Sequence, residues 1–239
     1  QIPDSNDLTN TTGSGDSNDL PFSFAMWVKA STTANQNYGF FEKGSGTSSN
    51  QQEYRAFLLS GKVYFDLYTN STANYKRSNT KTAHTYKNTW NHYAFTFNGD
   101  VNTGNAYDIN GNVIQSRGMS IYINGQIQEI GSGTGGSYTG MNNESSDLFI
   151  GNLISGSSYD LLGYVTDVMY WQDHELNYRA VNDIYADGLY SFNPKKNACD
   201  YSGNSKLKLW LQCDADYTIS GVQSSTTYVD LETEPATPA

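Results

Sequence analysis

Cysteine, proline and basic charge are all scarce in this chain, which has two Cys, five Pro and 14 Lys plus Arg against 24 Asp plus Glu in 239 residues. So few cysteines exclude a disulfide-dense scaffold and a paired C-x-x-C zinc site, and His84, His92 and His174 share no ligand spacing. The formal charge of −10 repels nucleic acid phosphates and anionic bilayers, so neither nucleic acid binding nor membrane insertion is expected, and cations are the natural small partners. No run approaches the roughly 18 to 20 apolar residues that cross a bilayer, and no apolar h-region follows a basic start. Gln1 to Asp4 read as the end of a strand already in progress, which suggests a processed or excerpted piece with any targeting segment upstream. Catalytic signatures are missing too: there is no G-x-S-x-G, no H-E-x-x-H and no phosphate-cradling glycine loop. Glycosidases need two carboxylates about 5 to 9 Å apart, and the nearest alternation, Asp230, Glu232 and Glu234, lies beside Pro235 in an apparent tail. The expectation is a chain that is not an enzyme.

Aromatic residues are plentiful instead, with 19 Tyr, ten Phe and four Trp. Broad rings suit pleated, half-buried surfaces, so the composition favours β structure. Residues 1 to 20 are loop chemistry, rich in Asp, Asn, Ser, Thr and Gly. Their Asp4, Asn6, Asp7, Asp16 and Asn18 lack the spacing of an EF-hand and read as a solvated loop. From Phe22, FSFAMWVKA alternates Phe22, Phe24, Met26 and Val28 with Ser23, Ala25, Trp27 and Lys29, a period of two. EYRAFLLS and KVYFDLYT form a hairpin about Gly61, WNHYAFTFN runs into Asn98-Gly99, and MSIYI turns at Asn124-Gly125 into QIQEIG. DLFIGN and GYVTDVMYW follow. Only then does the period change: Leu176, Ala180 and Ile184 fall four apart, with Asn177 placed to cap a short helix and Gly188 to end it. KLKLWLQC and TTYVDL are two further strand candidates. Many short strands with one late helix predict an all-β fold, an antiparallel two-sheet jelly-roll sandwich, with a barrel as the competing closure. We divide the chain into a sandwich over 1–188, an extension packing on it over 189–231, and a tail or linker over 232–239.

In order, FSFAMWVKA, FFEKG, KVYFDLYT, TWNHYAFTFNG, MSIYINGQ, LFIGN and GYVTDVMYWQDHELN resemble the laminin-G-like branch of the concanavalin A-like lectin superfamily over residues 1 to 188. With the acidic Tyr/Asn/Ser-rich composition, the chain is most similar to laminin-G-like domains of bacteriophage structural proteins, notably marine ones. The family's opening strand is represented only by Gln1-Ile2-Pro3, so upstream residues, a C-terminal strand or another subunit must cover the edge it leaves. The resemblance implies a module of a virion or extracellular surface that recognises surface glycans. The alternative is a purely structural decoration or coat subunit acting through contacts with a coat or tail protein, or with copies of itself.

It also implies a structural calcium ion. Asp167 in GYVTDVMYW matches the acidic residue that related sandwiches use to hold an ion, and Asp19 could supply a second carboxylate. Asp167 is read as sharing a strand face with Val165 and Met169, where a bare carboxylate is costly. The competing readings are a buried aspartate bonded to backbone N–H groups and, for Asp19, a solvated turn residue. Cys199 and Cys213 are either a disulfide, closing a loop of about 15 residues worth roughly 3 kcal/mol, or two reduced buried thiols. Trp27, Trp90 and Trp171 read as core, whereas Tyr38, Tyr75, Tyr138 and Tyr159 are loop residues able to stack on sugars. No sugar site is assigned. The sequons at Asn10, Asn70 and Asn143 carry little information in so Asn-rich a chain.

Overall fold

A computed structural model describes residues 1–12, 19–31, 37–45, 52–69, 71–84, 86–102, 104–135, 138–153, 159–213 and 227–230. Numbered in chain order, the strands of the first sheet are, in spatial order, Thr227–Asp230 (β15), Leu207–Gln212 (β14), Gly163–Gln172 (β13), Phe22–Ala30 (β1), Asn91–Phe97 (β6), Met119–Ile123 (β9), Val113–Ser116 (β8) and Asn105–Tyr107 (β7). Gln126–Ile127 (β10) returns on β9. The second sheet runs Ile130–Gly135 (β11), Ser71–Thr80 (β5), Lys62–Thr69 (β4), Gln52–Leu59 (β3), Tyr38–Gly44 (β2) and Leu148–Ile150 (β12). Among the described residues, then, a nine-stranded and a six-stranded antiparallel sheet carry a single α-helix, Tyr178–Asp187 (α1). This is the sandwich that the alternation predicts.

Period-two patterning puts Phe22, Phe24, Met26 and Val28 of β1 into the space between the sheets, where they meet Phe41, Tyr54, Phe65 and Phe95. Phe24 stacks on Phe41 at 4.0 Å between centroids, and Phe22 meets Phe65 edge-on at 5.9 Å. Each such ring contributes about 1.5 to 3 kcal/mol by leaving water. The Asn124-Gly125 turn has φ of 51° and 74°, the left-handed pair a tight hairpin requires.

The outward residues of the nine-stranded sheet are also covered. Met169 and Trp171 pack against Leu176, Ala180, Val181 and Ile184 of the helical segment and against Phe192, Tyr201 and Leu207. Asn177 caps α1 as predicted, its Oδ1 accepting from the Arg179 and Ala180 N–H groups at 2.9 Å. Tyr201 accepts a hydrogen bond from the Trp171 indole at 2.8 Å and donates to the Pro194 carbonyl at 2.7 Å, fixing residues 189–213 on the sheet. β14 pairs with β13 and so continues the first sheet. The C-terminal part thus supplies strands of the sandwich itself, while residues 232–239 fall outside the described ones. The weak N-terminal strand is reduced to one bridge, Ile2 to Leu148, closed by reciprocal hydrogen bonds of 2.8 and 2.9 Å. Lys43 anchors this segment from beneath by pairing with Asp4 at 2.8 Å and with buried Glu53.

One detail departs from strict alternation. Opposite β1, Ala25 pairs with Met169 but Trp27 pairs with Thr166, so β13 carries an extra residue, and Asp167 lies there with a φ of 45°. The bulge reverses the faces: Val165 packs towards the inner core and Met169 towards the helix. The expectation that Asp167 shares a face with both is therefore corrected.

His92, fully buried on the helix-covered face, lies 5.3 Å from the Trp27 ring and 6.1 Å from the Tyr185 ring, with neither ring nitrogen hydrogen-bonded. Burial pushes its pKa down from 6.5 to about 3. The unfolded chain therefore binds this proton more readily, so the stability associated with neutral His92 is complete above pH 6.5 and is lost as pH falls towards 3. Urea unfolding between pH 7 and 4 should show stability falling by up to about 1.4 kcal/mol per pH unit from this group. His92→Phe should flatten that slope, and an unaltered slope in the variant would contradict the assignment.

Candidate functional site

On the six-stranded sheet, Tyr54, Ala56 and Leu58 of β3 and Val63, Phe65 and Leu67 of β4 point into the core, so the intervening residues face outward. Those outward residues form a ladder. Glu42 of β2 pairs in register with Arg55 of β3, Arg55 with Asp66 of β4, and Asp66 with Arg77 of β5. Charge therefore alternates across four strands, the favourable cross-strand arrangement.

Asp66 is the hinge of the row. Its Oδ2 accepts from Arg55 Nε at 3.1 Å, Arg77 Nη2 at 2.6 Å and the Tyr68 hydroxyl at 2.9 Å, and its Oδ1 accepts from Arg77 Nε at 2.6 Å. Glu42 accepts from Gln52 at 3.1 Å and lies 3.8 Å from the Arg55 guanidinium. Both carboxylates are fully buried, whereas the Arg55 and Arg77 side chains remain 16% and 23% exposed. The arginines form the part that solvent reaches. Burial lowers the pKa of each, but Tyr68 and Asp66 beside Arg55, and Asp66 beside Arg77, more than reverse this and hold both above the ordinary arginine value. Burial and the Asp66 charge likewise push the Tyr68 hydroxyl up, so it stays a donor.

Aromatic rings support the guanidinium groups. Phe57 and Tyr64 stack at 5.0 Å with 8° between planes, and Tyr68 and Tyr75 lie 5.9 Å apart. Arg55 sits over Phe57 and Tyr68 at 4.9 and 5.0 Å, and Arg77 over Tyr75 and Tyr64 at 4.8 and 5.3 Å. Locked by a carboxylate on one side and a ring below, these donors lose little freedom when they meet a ligand. The arrangement suits recognition. It does not suit glycoside cleavage, because a nucleophile or proton donor needs an accessible oxygen and those of Asp66 are engaged by three side chains. Glu53, whose pKa burial raises to about 7, is consumed by Lys43 and the Glu144 N–H inside the protein.

Of the four tyrosines expected in loops, two contribute here: Tyr75, which lies within β5, and Tyr159, edge-on to Phe57 at 6.1 Å. The other two do not. Tyr38 is in β2 and buried, and the Tyr138 hydroxyl bonds to Asp19, where burial and that charge push it up. Trp27 and Trp171 are buried as expected, but Trp90 is only half-buried and precedes β6. Asn10 is buried and accepts from the Tyr170 hydroxyl, Asn143 is exposed, and Asn70 lies outside the described residues, as do Asp16, Asn18, Glu232 and Glu234. Arg55, Asp66 and Arg77 were not singled out from the sequence. A signal existed in the alternating charged and aromatic residues of RAF, YFDLY and YKR, whose other members fill the core.

The calcium candidates face protein donors. Asp167 accepts from the Tyr190 N–H at 2.9 Å and the Trp210 indole at 3.3 Å; Asp19 accepts from the Met141 N–H at 2.7 Å and from Tyr138. Among the described residues, no cluster of three or more His, Cys, Asp or Glu could hold a metal. Calcium takes about six to eight oxygens, and a carboxylate aimed at N–H groups contributes poorly to such a shell, so these residues as placed do not fit the ion. Cys199 and Cys213 are not bonded to each other in this structure; Cys199 is exposed and Cys213 half-buried, so neither is a buried thiol.

Comparison with known proteins agrees with the architecture. Residues 4–181 match the laminin-G family described as the concanavalin A-like lectin/glucanases superfamily, and the chain belongs to that family. Among solved structures it is similar to the botulinum neurotoxin serotype C1 binding domain, with 18% identity, a TM-score of 0.48, and coverage of 72% of this chain and 37% of that one. It is also similar to the binding domain of botulinum neurotoxin DC solved with rat synaptotagmin II, with 15% identity, a TM-score of 0.45, and coverage of 72% and 36%. The chain thus spans little more than a third of these structures. No curated protein matches it.

Exhaustive chelation should leave the thermal unfolding midpoint unchanged. A fall in the midpoint that added calcium restores, and that Asp167→Ala abolishes, would reinstate the metal.

Proposed function

We propose that the chain is a non-catalytic recognition module that binds surface glycans through the outer face of its six-stranded sheet, displayed on a virion or another extracellular surface. One observation carries this reading: Arg55 and Arg77 are held by Asp66 over four aromatic rings, giving fixed donors beside ring faces. Saccharides offer the complement, with hydroxyl groups for the donors and C–H faces for the half-buried Tyr64 and Tyr75 rings, Phe57 and Tyr68 being buried beneath Arg55.

A second reading rests on a different place. β7 is an outer strand of its sheet; its last residue, Tyr107, is 59% exposed, and Ile109 just after it is fully exposed. An exposed edge of this kind suits pairing with a coat or tail protein or another copy, which fits a purely structural decoration subunit.

Glycan-array binding followed by titration separates the two. The glycan reading expects saturable binding that Arg77→Ala weakens by about tenfold or more, equivalent to roughly 1.4 kcal/mol, with the fold retained by circular dichroism. Absence of array binding, together with self-association by light scattering that Ile109→Asp abolishes, would favour the structural reading.

A further inference from the structure

Helix α1 does not cover the whole outer face of the nine-stranded sheet. It shields Trp27, whose ring lies 5.8 Å from Tyr185 at 24°, and the neighbouring His92. Among the described residues, nothing covers the next outward row. Lys29 follows Trp27 at the two-residue spacing of one strand face and pairs in register with Tyr164 of β13. On its other side Val28 pairs with Asn91, which sets Trp90 opposite Lys29. β1, β13 and the residue just before β6 thus present Lys29, Tyr164 and Trp90 in one line. The Trp90 and Tyr164 rings converge across the central strand to 6.5 Å, inclined at 51°.

This row is not core. Tyr164 is 65% exposed, Leu162 just before it is 51% exposed, and Trp90 and Lys29 are half-buried. A tyrosine so exposed within a strand loses nothing by substitution to a polar residue, and the structural role open to it is small. Lys29 forms no ion pair among the described residues, although the chain carries a formal charge of −10. A lysine that makes no ion pair among the described residues, at the strand position between one exposed and one half-buried ring in a protein otherwise dominated by carboxylates, is complementary to one kind of partner: a flat body with an attached anion.

We infer that Trp90, Lys29 and Tyr164 form a second binding platform, selective for acidic saccharides. A pyranose ring of such a sugar lies on the indole and phenol faces, and its carboxylate or sulfate meets the Lys29 ammonium. The inference rests on the reading of the chain as a glycan-binding module but not on the six-stranded face, which lies on the opposite sheet.

The test uses the full chain and tryptophan fluorescence titration with three probes: trimannuronate, neutral mannotriose, and a heparin-derived tetrasaccharide. Tyr164→Ala is expected to weaken acidic-sugar binding by about tenfold. Lys29→Gln should bring trimannuronate down to the affinity of mannotriose, and both variants should keep the wild-type melting temperature. The stronger of the two acidic probes identifies carboxylate or sulfate as the preferred anion. Binding that is lost in Arg77→Ala but untouched in Tyr164→Ala and Lys29→Gln would overturn the platform while sparing the proposed function. Equal affinity of the wild type for acidic and neutral probes would also overturn it. No binding of any probe, with none on the glycan array, would remove both.

Discussion

Contact between the aromatic residues of β1 and those of the facing sheet is the interaction on which the rest of the molecule depends. Phe22 and Phe24 touch Phe41, Tyr54, Phe65, Phe97 and Tyr170, so a single strand ties together both layers and the strands on either side of it. Ring packing of this kind is directional as well as apolar, since offset and edge-on pairs are favoured over other arrangements. It fixes the spacing and register of the sheets. Register in turn decides which residues point outward together.

Two outward surfaces follow from that constraint. On the six-stranded sheet, correct pairing of four strands places Glu42, Arg55, Asp66 and Arg77 in one row. A slip of one residue in any strand would send a charged group into the core and an aromatic into solvent. On the nine-stranded sheet the outer face is shared between the second hydrophobic cluster under α1 and the outward row at Lys29. The bulge at Asp167 enables this division. It lets Met169 and Trp171 meet the helix while Val165 still packs towards the inner core, and it directs Asp167 towards Tyr190 and Trp210 of the C-terminal part.

The sandwich was legible because amphipathic strands announce themselves. FSFAMWVKA, KVYFDLYT and MSIYI alternate cleanly, and Asn124-Gly125 marks its turn by the backbone geometry only such residues adopt easily. β5 was not legible, since STANYKRSNT has no apolar period and becomes a strand through pairing with β4 and β11. The site suffered for the same reason: Arg77 lies on that strand, and nothing local in the sequence indicates that Asp66 and Arg55 will be its neighbours. Asp167 was found as an unusual buried acid, but its role depended on an extra residue in β13 that only the pairing with β1 reveals. Local pattern reports faces. Contacts across strands are set by register, which is a property of the assembled sheet.

Equilibrium urea unfolding of Phe24→Ala tests the central claim most directly. If the rings of β1 hold the layers in register, the substitution should cost about 3 to 5 kcal/mol. A loss below about 1 kcal/mol, the size of an ordinary surface change, would contradict the account.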